Sequence, residues 1–383
     1  MVKLVLRSAF LLAPLTAAAL FAFAGCSDET GGDEPRGDAG ADTATVDSFV
    51  PPQDSGGIDS GKRDCKADKQ VDGVQQHLDC AGLYSDFATK TVAAENKPYS
   101  PGLEFWSDGA VKTRFLYLPP GAKIDITDFD EWKFPNGTKI WKEFKLGTKR
   151  IETRLYFKAD DGSWHHTVYR WNDAETDAIR KDNGEKVPVA GKPPYEVPNV
   201  GQCNDCHDGR TEPVLGIDAV SLGLPTAKGI TLATLAADGR FSAVPPATSM
   251  TIPEDTTTKA AAALGWLHVN CGSCHNTNGS AKFTAMFFLL RPSQLMPVGV
   301  AVTDLDAYKT AVNVASTTYV TDAGAGFPRI QPGMPAESLV SLMSGRRVPA
   351  GEDPSSNQMP PIVTRLVDTA GHQLLDDWIT ALP

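Results

Sequence analysis

TKAAAALGWLHVNCGSCH, residues 258–275, decides how the chain is read. Its opening is rich in Ala and Leu, strong helix formers, and Asp255 and Thr256 precede it as N-cap candidates. A helix is therefore expected over Thr258 to Val269. It runs directly into Cys271-Gly272-Ser273-Cys274-His275. The same C-x-x-C-H pattern occurs upstream as Cys203-Asn204-Asp205-Cys206-His207. With 7 Cys and 7 His among 383 residues, chance gives about 0.002 such matches. The spacing has a chemical reason. Two thiols three residues apart add across the two vinyl groups of one haem, and the adjacent His coordinates the iron. Two covalently bound haem c groups are therefore expected, at Cys203, Cys206 and His207 and at Cys271, Cys274 and His275. A thioredoxin-like dithiol needs a βαβ context that the sequence lacks. A four-cysteine zinc site would need a shorter interval between the pairs and would leave both His residues without a role.

Working outward, Leu374, Leu375, Trp378, Ile379 and Leu382 recur at helical spacing, with Asp368 as a cap candidate. A helix leading into C-x-x-C-H and a packing C-terminal helix is the plan of a cytochrome c domain, here residues 258–383. That plan places a sixth iron ligand between motif and final helix, where Met334, Met343 and Met359 lie. Met343 sits in a helical-looking run and suits a core. Met334 follows Gly333 in a turn. Met359 stands before Pro360 and Pro361, which stiffen its loop, and is the expected ligand opposite His275. His268, three residues before Cys271, is read as a packing or surface residue.

Residues 200–257 form a loop-rich first haem segment, and residues 63–199 read as β-rich. Val111 to Leu118, Thr138 to Leu146, Lys149 to Lys158 and Ser163 to Trp171 are separated by Gly, Asn and Asp turns, as in an antiparallel meander or sandwich. Ile151, Thr153, Leu155 and Phe157 share one face of their strand. The expected class is α+β: an antiparallel β-sandwich-like module followed by a mainly helical cytochrome c-type region. Five of the seven tryptophans fall in the β module. They fit a packed core better than a sugar site. His165 and His166 point to opposite strand faces, so at most one can reach an iron, and a surface or core role suits both better.

The N-terminus reads as an export signal over residues 1–25. Lys3 and Arg7 are followed by an apolar stretch ending at Gly25–Cys26. Phe23-Ala24-Gly25-Cys26 resembles a bacterial lipobox, with Phe23 where Leu is usual, and makes Cys26 the lipidated first residue. Simple secretion with Cys26 discarded is the alternative. Residues 26–62 hold nine acids against Arg36 and Lys62, with few large apolar side chains. Such a segment is a flexible tether. Ser27 is compatible with outer-membrane sorting. Export also suits the motifs, since c-type haem is attached outside the bacterial cytoplasm. The net charge of −11, about −13 without Lys3 and Arg7, and the absence of a basic cluster argue against nucleic-acid binding. Cys65 and Cys80 are the pair left without another assignment. In an oxidising compartment a disulfide is expected between them, pairing with a partner protein being the alternative.

Several blocks carry a family resemblance: Phe105-Trp106-Ser107-Asp108-Gly109-Ala110, Phe134-Pro135-Asn136-Gly137-Thr138, Ile151-Glu152-Thr153-Arg154-Leu155, Tyr169-Arg170-Trp171-Asn172, Val197-Pro198-Asn199, Asn270 to Asn276, Gln331-Pro332-Gly333 and Met359-Pro360-Pro361. Over residues 95–383 the chain resembles an uncharacterised family of exported dihaem c-type proteins of Gram-negative bacteria. The resemblance implies a β module followed by a haem-bearing helical region and implies no particular reaction.

The leading functional expectation is a lipid-anchored dihaem cytochrome c of the periplasm or outer membrane, passing electrons to a redox partner protein. A dihaem peroxidase-like or other haem oxidoreductase is the alternative, and a ligand-binding β module with accessory haems is a third. The sixth ligand of the first haem separates the first two. The lipid expectation is checked by the intact mass of the membrane-extracted protein, which should begin at an acylated Cys26. An unmodified Cys26, or another mature start, overturns it.

Overall fold

The strand expected over Lys149 to Lys158 forms with those bounds and lies inside a seven-stranded antiparallel sheet. The computed structural model describes residues 63–316, 326–349 and 358–383. The lipobox with Cys26 and the tether lie outside them. Two short ribbons come first, β1 (Gln70–Val71) with β2 (Val74–Gln75) and β3 (Tyr84–Asp86) with β4 (Thr91–Val92). The sheet strands follow: β5 (Lys97–Ser100), β6 (Val111–Tyr117), β7 (Lys139–Leu146), β8 (Lys149–Lys158), β9 (Trp164–Trp171) and β10 (Ala178–Arg180). β11 (Glu185–Val189) and β12 (Lys192–Val197) make a separate hairpin. The sheet order is β10-β9-β8-β7-β6-β5-β13, where β13 is Lys228–Gly229. Turn chemistry sets the corners: Gly137, Gly147 and Gly162 all adopt positive φ, which glycine tolerates without a steric penalty.

Alternation predicted one buried face per strand. The structure buries both. Tyr99, Leu116, Ile140 and Tyr156 pack on one side with Trp132, Phe134, Leu222 and Leu235. Trp141, Leu155, Tyr169 and Trp171 pack on the other with Leu78, Leu83 and Tyr84. Ile140 pairs with Tyr156 and Trp141 with Leu155 across β7 and β8, so successive positions feed opposite cores. Double coverage forces charges inside, and several are paired there. Glu152 accepts from Arg154 at 2.6 and 3.0 Å, Glu143 meets Arg150 at 2.9 Å, and Lys158 meets Glu212 at 2.7 Å. Breaking one partner of such a pair costs several kcal/mol, on the order of 3–5. Trp132, Trp141 and Trp171 are buried, as expected of core residues.

The helices are α1 (Val200–His207), α2 (Ala219–Gly223), α3 (Leu232–Ala237), α4 (Ala260–Asn270), α5 (Pro292–Leu295), α6 (Asp306–Lys309), α7 (Leu339–Ser344) and α8 (Thr369–Ala381). The fold is therefore mixed α+β. α4 starts at Ala260 rather than Thr258. Its free N–H groups are met by Glu254, whose Oε1 accepts from Ala260 and Ala261, while Asp255 accepts from Thr257 and from Trp378 Nε1. Thr258 takes a positive φ, which closes the turn before the helix. Leu264 and Leu267 of α4 share a core with Leu375, Trp378 and Ile379 of α8. Leu374, counted on the apolar stripe, is 41% exposed. Asp368 caps α8 through Gly371 N and also accepts from Trp266 Nε1 at 2.8 Å. Gly371 allows that approach, since a Cβ there would overlap the Trp266 indole. No described helix is long and apolar enough to cross a membrane.

The segment after the first motif is not separate from the β module. β13 pairs with β5, and α2 and α3 supply much of one sheet core. Gly61–Pro383 clusters as one unit. On the far face, the 63–92 segment is stapled by the expected disulfide, Cys65–Cys80, with Cα atoms 5.2 Å apart. With a sequence separation of 15, the chain-entropy account gives roughly 3 kcal/mol. Replacing both cysteines by Ser should lower the unfolding free energy by about that amount in denaturant titration. An unchanged midpoint would show that the staple does not restrain the unfolded chain.

Candidate functional site

The first motif lies on α1. Asn199 accepts from Gln202 N, and Gln202 Oε1 accepts from Asn199 N, a reciprocal cap that fixes the helix start. Cys203 and Cys206, three apart, share a helix face. His207 closes the last turn. Its Nδ1 donates to Pro213 O at 2.6 Å, which leaves Nε2 with its lone pair. The ring stacks on Tyr156 at 4.4 Å, and Tyr156 stacks in turn on His166 at 5.0 Å. Burial, with Lys142 nearby, pushes the His207 pKa well below its usual value, so the imidazole is neutral.

The second motif is a tight turn at the end of α4. Cys274 N and His275 N donate to Cys271 O at 3.2 and 2.8 Å, and Asn276 Nδ2 ties the turn through the carbonyls of Gly272 and Ser273. His275 is buried against Phe288, which lowers its pKa to about 4. Its Nδ1 lies 3.4 Å from Thr284 Oγ1.

The two motifs, with 64 residues between Cys206 and Cys271, meet directly in space. Asp205 O accepts from Cys274 Sγ at 3.2 Å and from Ser280 Oγ at 3.0 Å. The Cys206 and Cys274 thiols are close enough to perturb each other. Their interaction holds the Cys274 thiol down to about 6 and, with burial, raises Cys206 well above the usual range. Gly209 makes the approach possible, because a Cβ there would overlap the Ser273 carbonyl oxygen.

Each motif opens on its own cavity. The first, about 130 Å³, is lined by Cys203, Cys206, His207 and a set of cations; the second, about 360 Å³, is lined by Cys206, Cys271, Cys274, His275 and mostly apolar side chains. Phe105, Trp106, Cys206, Pro360 and Ile362 border both. Trp106 is fixed by Nε1 to Leu366 O at 2.9 Å and by its N–H to Asn270 Oδ1 at 2.8 Å. Each cavity also carries two cations with no carboxylate partner among the described residues. In the first, Lys112 Nζ donates to Phe105 O and Ser107 Oγ, and Lys142 Nζ donates to Leu215 O. Desolvation pulls both ammonium groups down to about 7. In the second, Arg329 donates to the carbonyls of Ala285, Thr310 and Thr284, and Arg347 to those of Ser344, Arg346 and Met359.

Met359 lines the second cavity with His275, and so does Met343, which was expected only in the core. Met343 Sδ accepts from Arg346 Nη2 at 3.1 Å. Met334 is 48% exposed and lines neither cavity. His165 and His166 also line neither: His165 Nε2 meets Ser163 Oγ, and His166 Nε2 meets Val200 O at 3.1 Å. His268, read from sequence as packing or surface, is buried and lines the first cavity. Its place before Cys271 points to the second motif, so the sequence held no signal for the first cavity. Among the described residues no three His, Cys, Asp or Glu side chains gather as a metal-ion site.

No family model, curated protein or solved structure matches the chain.

The contact at Gly209 is testable. Gly209→Ala should destabilise the fold by about 1–3 kcal/mol in denaturant titration, as overpacking does. A variant as stable as the wild type would show that the two motifs do not meet there.

Proposed function

We propose that the protein is a dihaem c-type cytochrome of the cell envelope, lipid-anchored at the outer membrane or periplasmic face, which exchanges electrons with a partner protein. One observation carries the reading: each C-x-x-C-H motif opens on a cavity with two cations that no carboxylate neutralises among the described residues. A haem brings two propionates, so the donor set and the charge both fit. The packing of α4, which leads into the second motif, on α8 supports a cytochrome c-type region there. The meeting of the two motifs at Asp205, Cys206 and Cys274 supports two groups held side by side.

In this reading the thiol S–H of each motif cysteine adds across a vinyl group, forming a thioether and leaving nothing to depart. His207 and His275 offer neutral imidazole nitrogens, kept unprotonated by burial. His207 is oriented by Pro213 O. Bound haem supplies a one-electron iron couple. Met359 is the thioether ligand at the second site, since of the other methionines that line it Met343 Sδ is already engaged by Arg346 and Met286 packs against the core shared by α4 and α8. A neutral thioether favours reduced iron and raises the potential. A second reading draws on the Cys206–Cys274 contact, which also suits a thiol–disulfide pair.

Pyridine haemochrome analysis against protein mass should give a ratio near two. Met359→Ala should then remove the weak red-edge absorption of iron–thioether bonding and lower one potential, while Met343→Ala leaves both features. A ratio of zero with a Cys206–Cys274 cross-link in unreduced peptide maps would favour the second reading. Survival of the band and of both potentials in Met359→Ala overturns the ligand assignment.

A further inference from the structure

The first cavity is bounded by two imidazoles fixed in opposite tautomers. His207 Nδ1 faces the Pro213 carbonyl, which only accepts, so its Nε2 keeps a lone pair. His268 Nδ1 lies 3.0 Å from Leu290 N, and a backbone N–H only donates, so this Nδ1 is the acceptor. Burial lowers the His268 pKa to about 4, so the ring holds a single proton, and that proton is on Nε2. His268 is 4% exposed. Its Nε2–H has no partner among the described residues. The nearby Asp218 carboxylate accepts from Ser221 N and Oγ at 2.8 and 3.0 Å and faces Arg210 at 3.5 Å.

An imidazole that keeps its Nε2 proton is a hydrogen-bond donor and no ligand for iron. Among the described residues no methionine lines the first cavity, unlike the second. We propose that the first cavity binds a small anion at the haem iron, of the hydroperoxide or nitrite kind, and that His268 Nε2–H donates a hydrogen bond to it. Of the cations that line this cavity, Arg114, Arg154 and Arg210 face the carboxylates of Glu104, Glu152 and Glu131, so the donor aimed at the ligand is the His268 N–H. The proposal rests on the dihaem reading and assigns the two sites different work: the second holds a methionine ligand, and the first admits a ligand from outside.

The test uses the haem-loaded protein with azide as the probe. Azide should bind to one haem of the wild type, and the infrared stretch of the bound azide should shift between H₂O and D₂O. His268→Leu should weaken azide binding about tenfold, the size of one hydrogen bond, and abolish the isotope shift. His268→Gln, which keeps an N–H donor, should restore part of both. A wild type that takes up no azide, because a lysine or another group already fills the sixth position, overturns the proposal. So does a bound azide with no isotope shift, a measurement that needs no variant to fold. A haemochrome ratio of zero would instead overturn the dihaem reading and is read separately.

Discussion

The contact between the two C-x-x-C-H motifs constrains everything around it. Asp205, Cys206 and Gly209 of one meet Ser273, Cys274 and Ser280 of the other, and Gly209 has no room for a side chain. For that contact to form, α1 must be held on the sheet and α4 on α8. The first task falls to the Asn199 cap and to the Tyr156 ring beneath His207. The second falls to Leu264, Leu267, Trp378 and Ile379 and to the doubly used carboxylate of Asp368. The block Phe105 to Ala110 joins the two halves: Trp106 reaches Asn270 and Leu366, and Asp108 accepts from Arg365 and Leu366 N–H groups.

Local signals were the legible ones. Turn residues bounded β6 to β9 within a residue, because positive φ at Gly137 and Gly162 is a property of a few neighbouring atoms. The Asp368 cap was legible for the same reason, and the cysteine pairs because each is a pattern of five adjacent residues or fewer, or the remainder once those are set aside. Coverage of the second sheet face was not legible. It depends on residues 63–92, distant in sequence, and alternation alone names one face. The Glu254 cap was missed because it reaches six and seven residues ahead, past the position where a cap is sought.

The site shows the same division. Cys203, Cys206, Cys271 and Cys274 stand out by their spacing. Their surroundings do not. Lys142, Arg329 and Arg347 look in sequence like any surface cation, and only the fold deprives them of carboxylates. His268 looked like packing because it neighbours a motif with its own histidine, yet it opens on the other cavity. Side chains that act across a cavity have no sequence spacing to betray them.

The pairing of β13 with β5 bears on the order in which the chain is completed. β5 is made early, but its outer neighbour is Lys228–Gly229, and the core over that half of the sheet needs Phe241 and Met250. A chain emerging from its N-terminus therefore presents an open sheet edge and an uncovered apolar face until about residue 250 has followed. By then Cys203 and Cys206 have already passed. The first pair of thiols is thus laid bare ahead of the structure that buries it, and strand pairing of this long range is slow to close.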